Sequence, residues 1–155
     1  MKKWILFICL ALFGALVCRA QTEGIAGEWD GIWTSPSGFV YKAQITLNTG
    51  SGCKTCAVVG DGSIQGEIVW TLQRIGKNAP AQYTGSEGLT ATEYVKGEMR
   101  GDGFFVIEGY RKDDPHNIIG LDRYRLALGE NGKVIGGITR NNGPWTGQLI
   151  AVRVP

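Results

Sequence analysis

Apolar and polar residues alternate along most of this chain with a period of two. Phe39, Tyr41, Ala43, Ile45 and Leu47 fall on one side of the segment they span, and Lys42, Gln44 and Thr46 fall on the other with Val40. Successive side chains of a strand point to opposite faces, so this spacing predicts a strand with one face buried. Ser63 to Ile75 repeats it, with Ile64, Ile68, Trp70 and Leu72 opposite Gln65, Glu67, Thr71 and Gln73. The same reading predicts strands over 27–34, 90–99, 103–111, 121–128, 133–139 and 145–153. No stretch of helical length shows a clear 3.6-residue apolar stripe.

Turn chemistry separates these runs. Gly101-Asp102-Gly103 divides one pair, Asn131-Gly132 tolerates the positive φ of a tight hairpin, and Asn142-Gly143-Pro144 ends another strand. The 24 glycines follow no three-residue period, which fits turns and excludes a collagen-like chain. The fold class expected is all-β: a single antiparallel up-and-down barrel of about eight strands, the number that closes a small barrel and leaves no sheet edge. A two-sheet β-sandwich is the alternative.

The first 20 residues break the alternation. Two lysines precede an unbroken apolar run of 15 residues, Trp4 to Cys18, followed by Arg19, Ala20 and a polar exit. A basic start, a short apolar centre and small residues before a polar exit read as a signal peptide over 1–20. The run falls short of the roughly 20 residues of a spanning helix. The expected product is one domain over 21–155 in a secreted or periplasmic location, without a membrane span. The alternatives are an uncleaved anchor and a lipid on Cys18, against which Val17 argues by filling a place that wants a small residue.

Removing that leader changes the charge. Lys2, Lys3 and Arg19 leave with it and no acid does, so 16 basic against 14 acidic residues becomes 13 against 14, a net −1. The apparent basicity belongs to the leader, and with it goes any strong electrostatic case for nucleic acid. Two of the four cysteines leave as well, and Cys53 and Cys56 remain. In an oxidising compartment that pair is expected to form a local disulfide. A redox role lacks a helix N-terminus beside it, a zinc site lacks two further ligands, and covalent haem lacks a His after Cys56. No cofactor or metal is therefore expected.

Gly27-Glu28-Trp29 has the Gly-x-Trp pattern that opens the first strand of lipocalins and avidins, and Gly31-Ile32-Trp33 repeats it. Trp145-Thr146-Gly147 begins a last strand that would pair with the first. On these residues the chain resembles the calycin group, and within it the short bacterial lipocalin-like proteins. The resemblance implies a barrel with a tryptophan packed under its closed end, structural roles for Trp29, Trp33 and Trp145, and a small ligand inside. The second lipocalin motif and the biotin-facing tryptophans of avidins are missing, so biotin is not implied.

Charged residues inside apolar strand faces are the candidate ligand contacts, because a buried charge is costly unless paired. Glu93 shares a face with Ala91 and Val95, Asp122 with Tyr124 and Leu126, and Arg74 with Trp70 and Leu72. Glu93 and Asp122 could pair with Arg74 or face a ligand; alternatively they reach solvent at strand ends. Glu108 and Tyr110 form a second polar-aromatic pair, on an unassigned side of a strand that is apolar on both faces from Phe104 to Ile107. Arg111, Lys112, Arg123 and Arg125 could form a basic outer patch. Asp113-Asp114-Pro115-His116-Asn117 offers a metal two carboxylates and an imidazole, or simply makes a turn.

Catalysis finds little support. His116 is the only imidazole, which excludes a Ser/His/Asp or Cys/His assembly unless this loop supplies it, and no phosphate-binding or zinc-protease motif occurs. Two functions remain: a binding barrel for a small apolar or amphipathic ligand, or a filled-core protein, such as an inhibitor or envelope component, that meets a protein partner through the 76–88 loop. A cavity of a few hundred Å³ lined by Trp and Tyr would favour the first.

Overall fold

A computed structural model describes residues 24–49, 63–100, 104–129, 132–141, 143 and 145–155. The signal peptide expected over 1–20, Cys53, Cys56, the turn expected at Gly101–Gly103, Asn131, Asn142 and Pro144 lie outside the described residues. Eight strands run in chain order: β1 Gly27–Thr34, β2 Val40–Thr49, β3 Ser63–Arg74, β4 Thr90–Met99, β5 Phe104–Asp113, β6 Asp122–Leu128, β7 Val134–Asn141 and β8 Thr146–Arg153. Each pairs antiparallel with the next, and β8 returns to β1 from Trp29 opposite Arg153 to Thr34 opposite Gln148, closing the sheet. The architecture is the up-and-down barrel; the sandwich is excluded by that last pairing.

The alternation places the core. Ile45 and Leu47 of β2, Ile64 and Ile68 of β3, Val95 of β4, Phe105 and Ile107 of β5 and Leu126 of β6 all point inward and are buried. Full burial of each such side chain stabilises by roughly 1.5–3 kcal/mol. Lys42, Gln44, Glu67, Lys96, Glu108, Arg123 and Arg125 point outward. An apolar inside and a charged outside reverse the pattern of a membrane-spanning barrel. One strip departs from it: Ile32, Ile138, Ile150 and Val152 are exposed on the outer wall of β1, β7 and β8.

The ends differ. At the start of β1 and the end of β8, Trp29 is buried and its Nε1–H donates to the Ile25 carbonyl (3.1 Å). The Arg153 guanidinium lies 4.2 Å from the Trp29 ring centroid. Arg153 also donates to the carbonyls of Ala26 (2.7 Å), Gly132 (3.0 Å) and Gly24. Among the described residues this end is packed around Trp29. The opposite end carries the β1–β2, β3–β4, β5–β6 and β7–β8 connections.

Two irregularities reset the alternation near that open end. Between β2 and β3 the register jumps from Tyr41–Leu72 to Val40–Arg74. Between β4 and β5 it jumps from Val95–Gly109 to Tyr94–Arg111. Each jump inserts one residue, Gln73 or Tyr110, and reverses the facing of the residues after it, because side chains alternate strictly along a strand.

Candidate functional site

The open end holds a cavity of about 160 Å³ walled by Trp33, Tyr41, Trp70, Tyr83, Tyr124 and Trp145. The rings form a continuous set. Trp33 meets Tyr41 edge-on at 5.6 Å, Tyr41 meets Trp70 edge-on at 6.1 Å, and Trp70 stacks on Tyr124 at 6.5 Å. Phe39 stands at the rim, 4.9 Å from Trp145 and 5.0 Å from Tyr83. Such separations are those of favourable ring pairs. Strands supply four of the six walls from inward positions on β1, β2, β3 and β6; Tyr83 and Trp145 come from connections.

Glu93 and Asp122 border the same space. Glu93 is only 1% exposed, so it does not reach solvent. Three donors hold its carboxylate. Trp70 Nε1–H (3.1 Å) and the Tyr124 hydroxyl (2.5 Å) donate to Oε2, and the Asp122 backbone N–H (2.9 Å) donates to Oε1. Gly109 makes the room: a Cβ there would stand 2.0 Å from Glu93 Oε1. Burial pushes the Glu93 carboxyl up to about 7, against the pull of those three hydrogen bonds and with help from the Asp122 charge.

Asp122 is held from the other side. Burial raises its carboxyl above the usual range, and a hydrogen bond from the Thr139 hydroxyl opposes the rise. Thr139 Oγ1 in turn accepts the Trp33 indole N–H at 2.6 Å. A hydroxyl has one proton, so accepting from Trp33 leaves it to donate to Asp122. Burial, then the Glu93 and Asp122 charges, keep the Tyr124 hydroxyl well above its ordinary range, hence protonated.

The β5–β6 connection closes over part of the mouth. Ile118 is buried, and its carbonyl accepts the Tyr41 hydroxyl at 2.6 Å. Asp114 accepts backbone N–H from Ile118 (2.9 Å) and Ile119 (3.0 Å), while Lys112 Nζ reaches Asp114 (3.0 Å), Asn117 (3.2 Å) and the Ile119 carbonyl (2.6 Å). Burial pulls the Asp114 carboxyl up, but these backbone and lysine contacts outweigh it and hold it below the usual range. The Asp113–Asn117 segment is thus a turn with Asn117 at φ 52, and His116 is exposed. Among the described residues no group of three His, Cys, Asp or Glu side chains could hold a metal.

Of the residues singled out from sequence, the fold brings Trp70, Glu93, Asp122 and Tyr124 to one cavity. It leaves Arg74, Glu108 and Tyr110 outside. Arg74 comes after the inserted Gln73, so it pairs with outward Val40, is exposed, and donates from Nε to the Gly38 carbonyl (3.1 Å) instead of to Glu93 or Asp122. Glu108 sits between inward Ile107 and Gly109, and Tyr110 is the inserted residue of β5, lying outside under Lys96. Lys112 is turned to the mouth by the same insertion, so it is no part of an outer basic patch. Arg123 and Arg125 are outside, with Arg100 and Arg140, along a groove on the wall.

Trp33 and Trp145 were assigned structural roles; both also wall the cavity. Tyr41 and Tyr83 carried no site signal in the sequence. Tyr41 lay on a face already identified as buried, but alternation gives the face and not the depth along the barrel. Tyr83 belongs to a 3₁₀ turn, Ala81–Tyr83, in a connection with no periodic signal. That connection tucks Tyr83 into the mouth against Phe39 rather than offering it outward.

No protein-family model matches the sequence, and no curated protein does. Among solved structures the chain is similar to a redesigned β-barrel, mFAP0, bound to DFHBI (TM-score 0.59, 11% identity, covering 84% of this chain and 99% of that one). It is also similar to a de novo designed fluorescence-activating β-barrel (TM-score 0.56, 11% identity, 86% and 96% covered). An S-type phycobiliprotein lyase, CPES, from Guillardia theta stands at TM-score 0.47 and 10% identity, with 86% and 90% covered. The likeness is one of fold: a closed eight-stranded barrel.

Proposed function

We propose that this protein is an exported barrel that binds one small molecule in the ring-walled cavity at its open end. The cavity carries the reading. Among the described residues one end of the barrel is packed around Trp29, while the other keeps about 160 Å³ under six aromatic side chains and two carboxylates. That volume is below the few hundred Å³ of a drug-sized pocket, so the ligand is small or enters only in part. Burying Glu93 costs stability, and a barrel with a merely structural core would be better served by an apolar residue there. The mFAP0 barrel is bound to DFHBI, which supports the view that a barrel of this shape has room for a ligand.

Export rests on residues 1–20, and a secreted or periplasmic location carries with it oxidation of Cys53 and Cys56. Among the described residues no helix is long and apolar enough to cross a membrane. Binding is preferred to catalysis because the lone His116 is exposed on a turn and Glu93 is engaged by three donors.

Native mass spectrometry of the purified protein after exposure to an extract of its own cells and medium tests the role. We expect one small molecule retained per barrel. Trp70→Leu should weaken retention at least about fivefold by removing a wall and a Glu93 donor, and Tyr110→Ala on the outside should not change it. Retention of nothing by the wild type sinks the reading and favours the filled-core interaction protein.

A further inference from the structure

Resting on that binding role, we infer that the cavity selects a small organic cation: an ammonium ion carrying one ring or a short apolar chain. The charge of the lining points there. Glu93 and Asp122 border the cavity, and no Lys, Arg or His does among the described residues. Lys112 is the register partner of Glu93, but its ammonium is drawn away to Asp114, Asn117 and the Ile119 carbonyl. Arg74 lies outside. The barrel therefore supplies two carboxylates and no countercharge within the lining.

The hydrogen bonds sharpen the choice. The inner rings have spent their polar hydrogens: Trp33 on Thr139, Tyr41 on Ile118, Trp70 and Tyr124 on Glu93. Those side chains offer a ligand ring faces but no donor. An anion would find its side-chain donors in the Asn117 and Asn141 amides, beside two carboxylates that repel it. A neutral apolar molecule fits the rings but leaves both acids without a countercharge. A cation answers both features, since ammonium groups are attracted to ring faces and to carboxylates alike.

Size sets the rest. A cavity of about 150 Å³ admits a benzene ring, and this one is about 160 Å³. Ionised Glu93 is the form that attracts the cation, so binding draws a proton off the carboxyl. Because that carboxyl titrates near 7, affinity should rise with pH through neutrality.

Benzylammonium, benzyl alcohol and benzoate share one ring and differ in charge, and calorimetric titration of each into the purified protein separates the cases. At about pH 8 benzylammonium should bind at least about tenfold more tightly than benzyl alcohol, and benzoate should not bind. The preference should grow about tenfold from about pH 6 to about pH 8, as the ionised fraction of Glu93 does. Glu93→Gln should lower benzylammonium affinity about tenfold and change benzyl alcohol affinity less than about threefold. Asp122→Asn gives an independent loss of about fivefold should the first variant fail to fold.

Equal binding of the amine and the alcohol, or a preference that survives both variants, overturns the cation and leaves small-molecule binding standing. If none of the three probes binds, the charge of the molecule retained from extract decides: a cation supports the inference and a neutral or anionic molecule overturns it. If nothing is retained either, the binding role itself fails, and the inference with it.

Discussion

At the closed end of the barrel, Trp29 lies under a guanidinium that spends its N–H groups on the carbonyls of Gly24, Ala26 and Gly132. At the open end, tryptophan and tyrosine rings stand beside Glu93 and Asp122, and the lining contains neither lysine nor arginine. The ingredients are similar, aromatic faces with a charged group, but only one end balances its charge from within the chain. Arg153 is met locally, by three backbone carbonyls and the Trp29 ring face. Glu93 is fully hydrogen-bonded yet still raised by burial, so its ionised form is held at a cost. One end is built to close the fold, and the other carries unrelieved charge that a ligand of the opposite sign would relieve.

The largest expected effect is at the closed end. Trp29→Ala should cost about 4 kcal/mol of unfolding free energy in urea, combining a lost core aromatic with a displaced Arg153. A loss under about 1 kcal/mol would mean that the closed end is no stability anchor, and the contrast between the ends would fail.

The next effect is the pH dependence of the open end. In the unfolded chain Glu93 ionises near 4.5, and in the folded chain near 7. Between those values the unfolded state gives up the proton first, so stability falls as pH rises through the window and stays lower above it. The size is on the order of 3 kcal/mol from this group. Trp70 from β3, Asp122 and Tyr124 from β6 and Lys112 from β5 are the polar groups set against it. Asp122 is also raised by burial and adds a fall of the same sign. Urea titrations of wild type and Glu93→Gln from about pH 5 to about pH 8 check this, and the variant should lose most of the slope. A wild type equally stable at both limits would show that Glu93 is balanced after all, as Arg153 is.

A smaller effect sharpens the comparison at one atom. Gly109→Ala puts a methyl on the Glu93 carboxylate, which the neighbouring Val95, Trp70 and Tyr124 leave little freedom to move. It should cost about 2 kcal/mol and weaken ligand retention together. If stability falls while retention is untouched, the position of the Glu93 carboxylate is irrelevant to the open end.

Much of the barrel was legible in the chain. The eight strands lie within about two residues of where alternation put them, because each has one buried face and glycine or asparagine at its ends. Part of the cavity was legible too. Glu93, Asp122, Trp70 and Tyr124 stood out as charge or aromatic on an apolar face, and closure of the barrel brought them together. Arg74, Glu108 and Tyr110 stayed outside. An inserted residue leaves no mark on the apolar-polar pattern beyond the residue itself, yet it reverses every side chain after it. Arg74 went out and Lys112 came in for that reason. Phe104 to Val106 offered no alternation to read, because Phe104 faces outward under Arg125 and Val106 lies in the outer groove.

By itself, the sequence determined the strands, their order and the balance of charge over residues 21–155, since these depend on neighbours one or two residues apart, on turn chemistry and on composition. It is also the ground for the signal peptide expected over 1–20 and for the disulfide expected between Cys53 and Cys56. Only the tertiary structure decided which end is filled and which is open, where the inserted residues fall, and that Glu93 meets Trp70 and Tyr124 across 23 and 31 residues of chain. Those outcomes depend on the closing pairing of β8 with β1 and on depth along the barrel, quantities that no local pattern of side chains encodes.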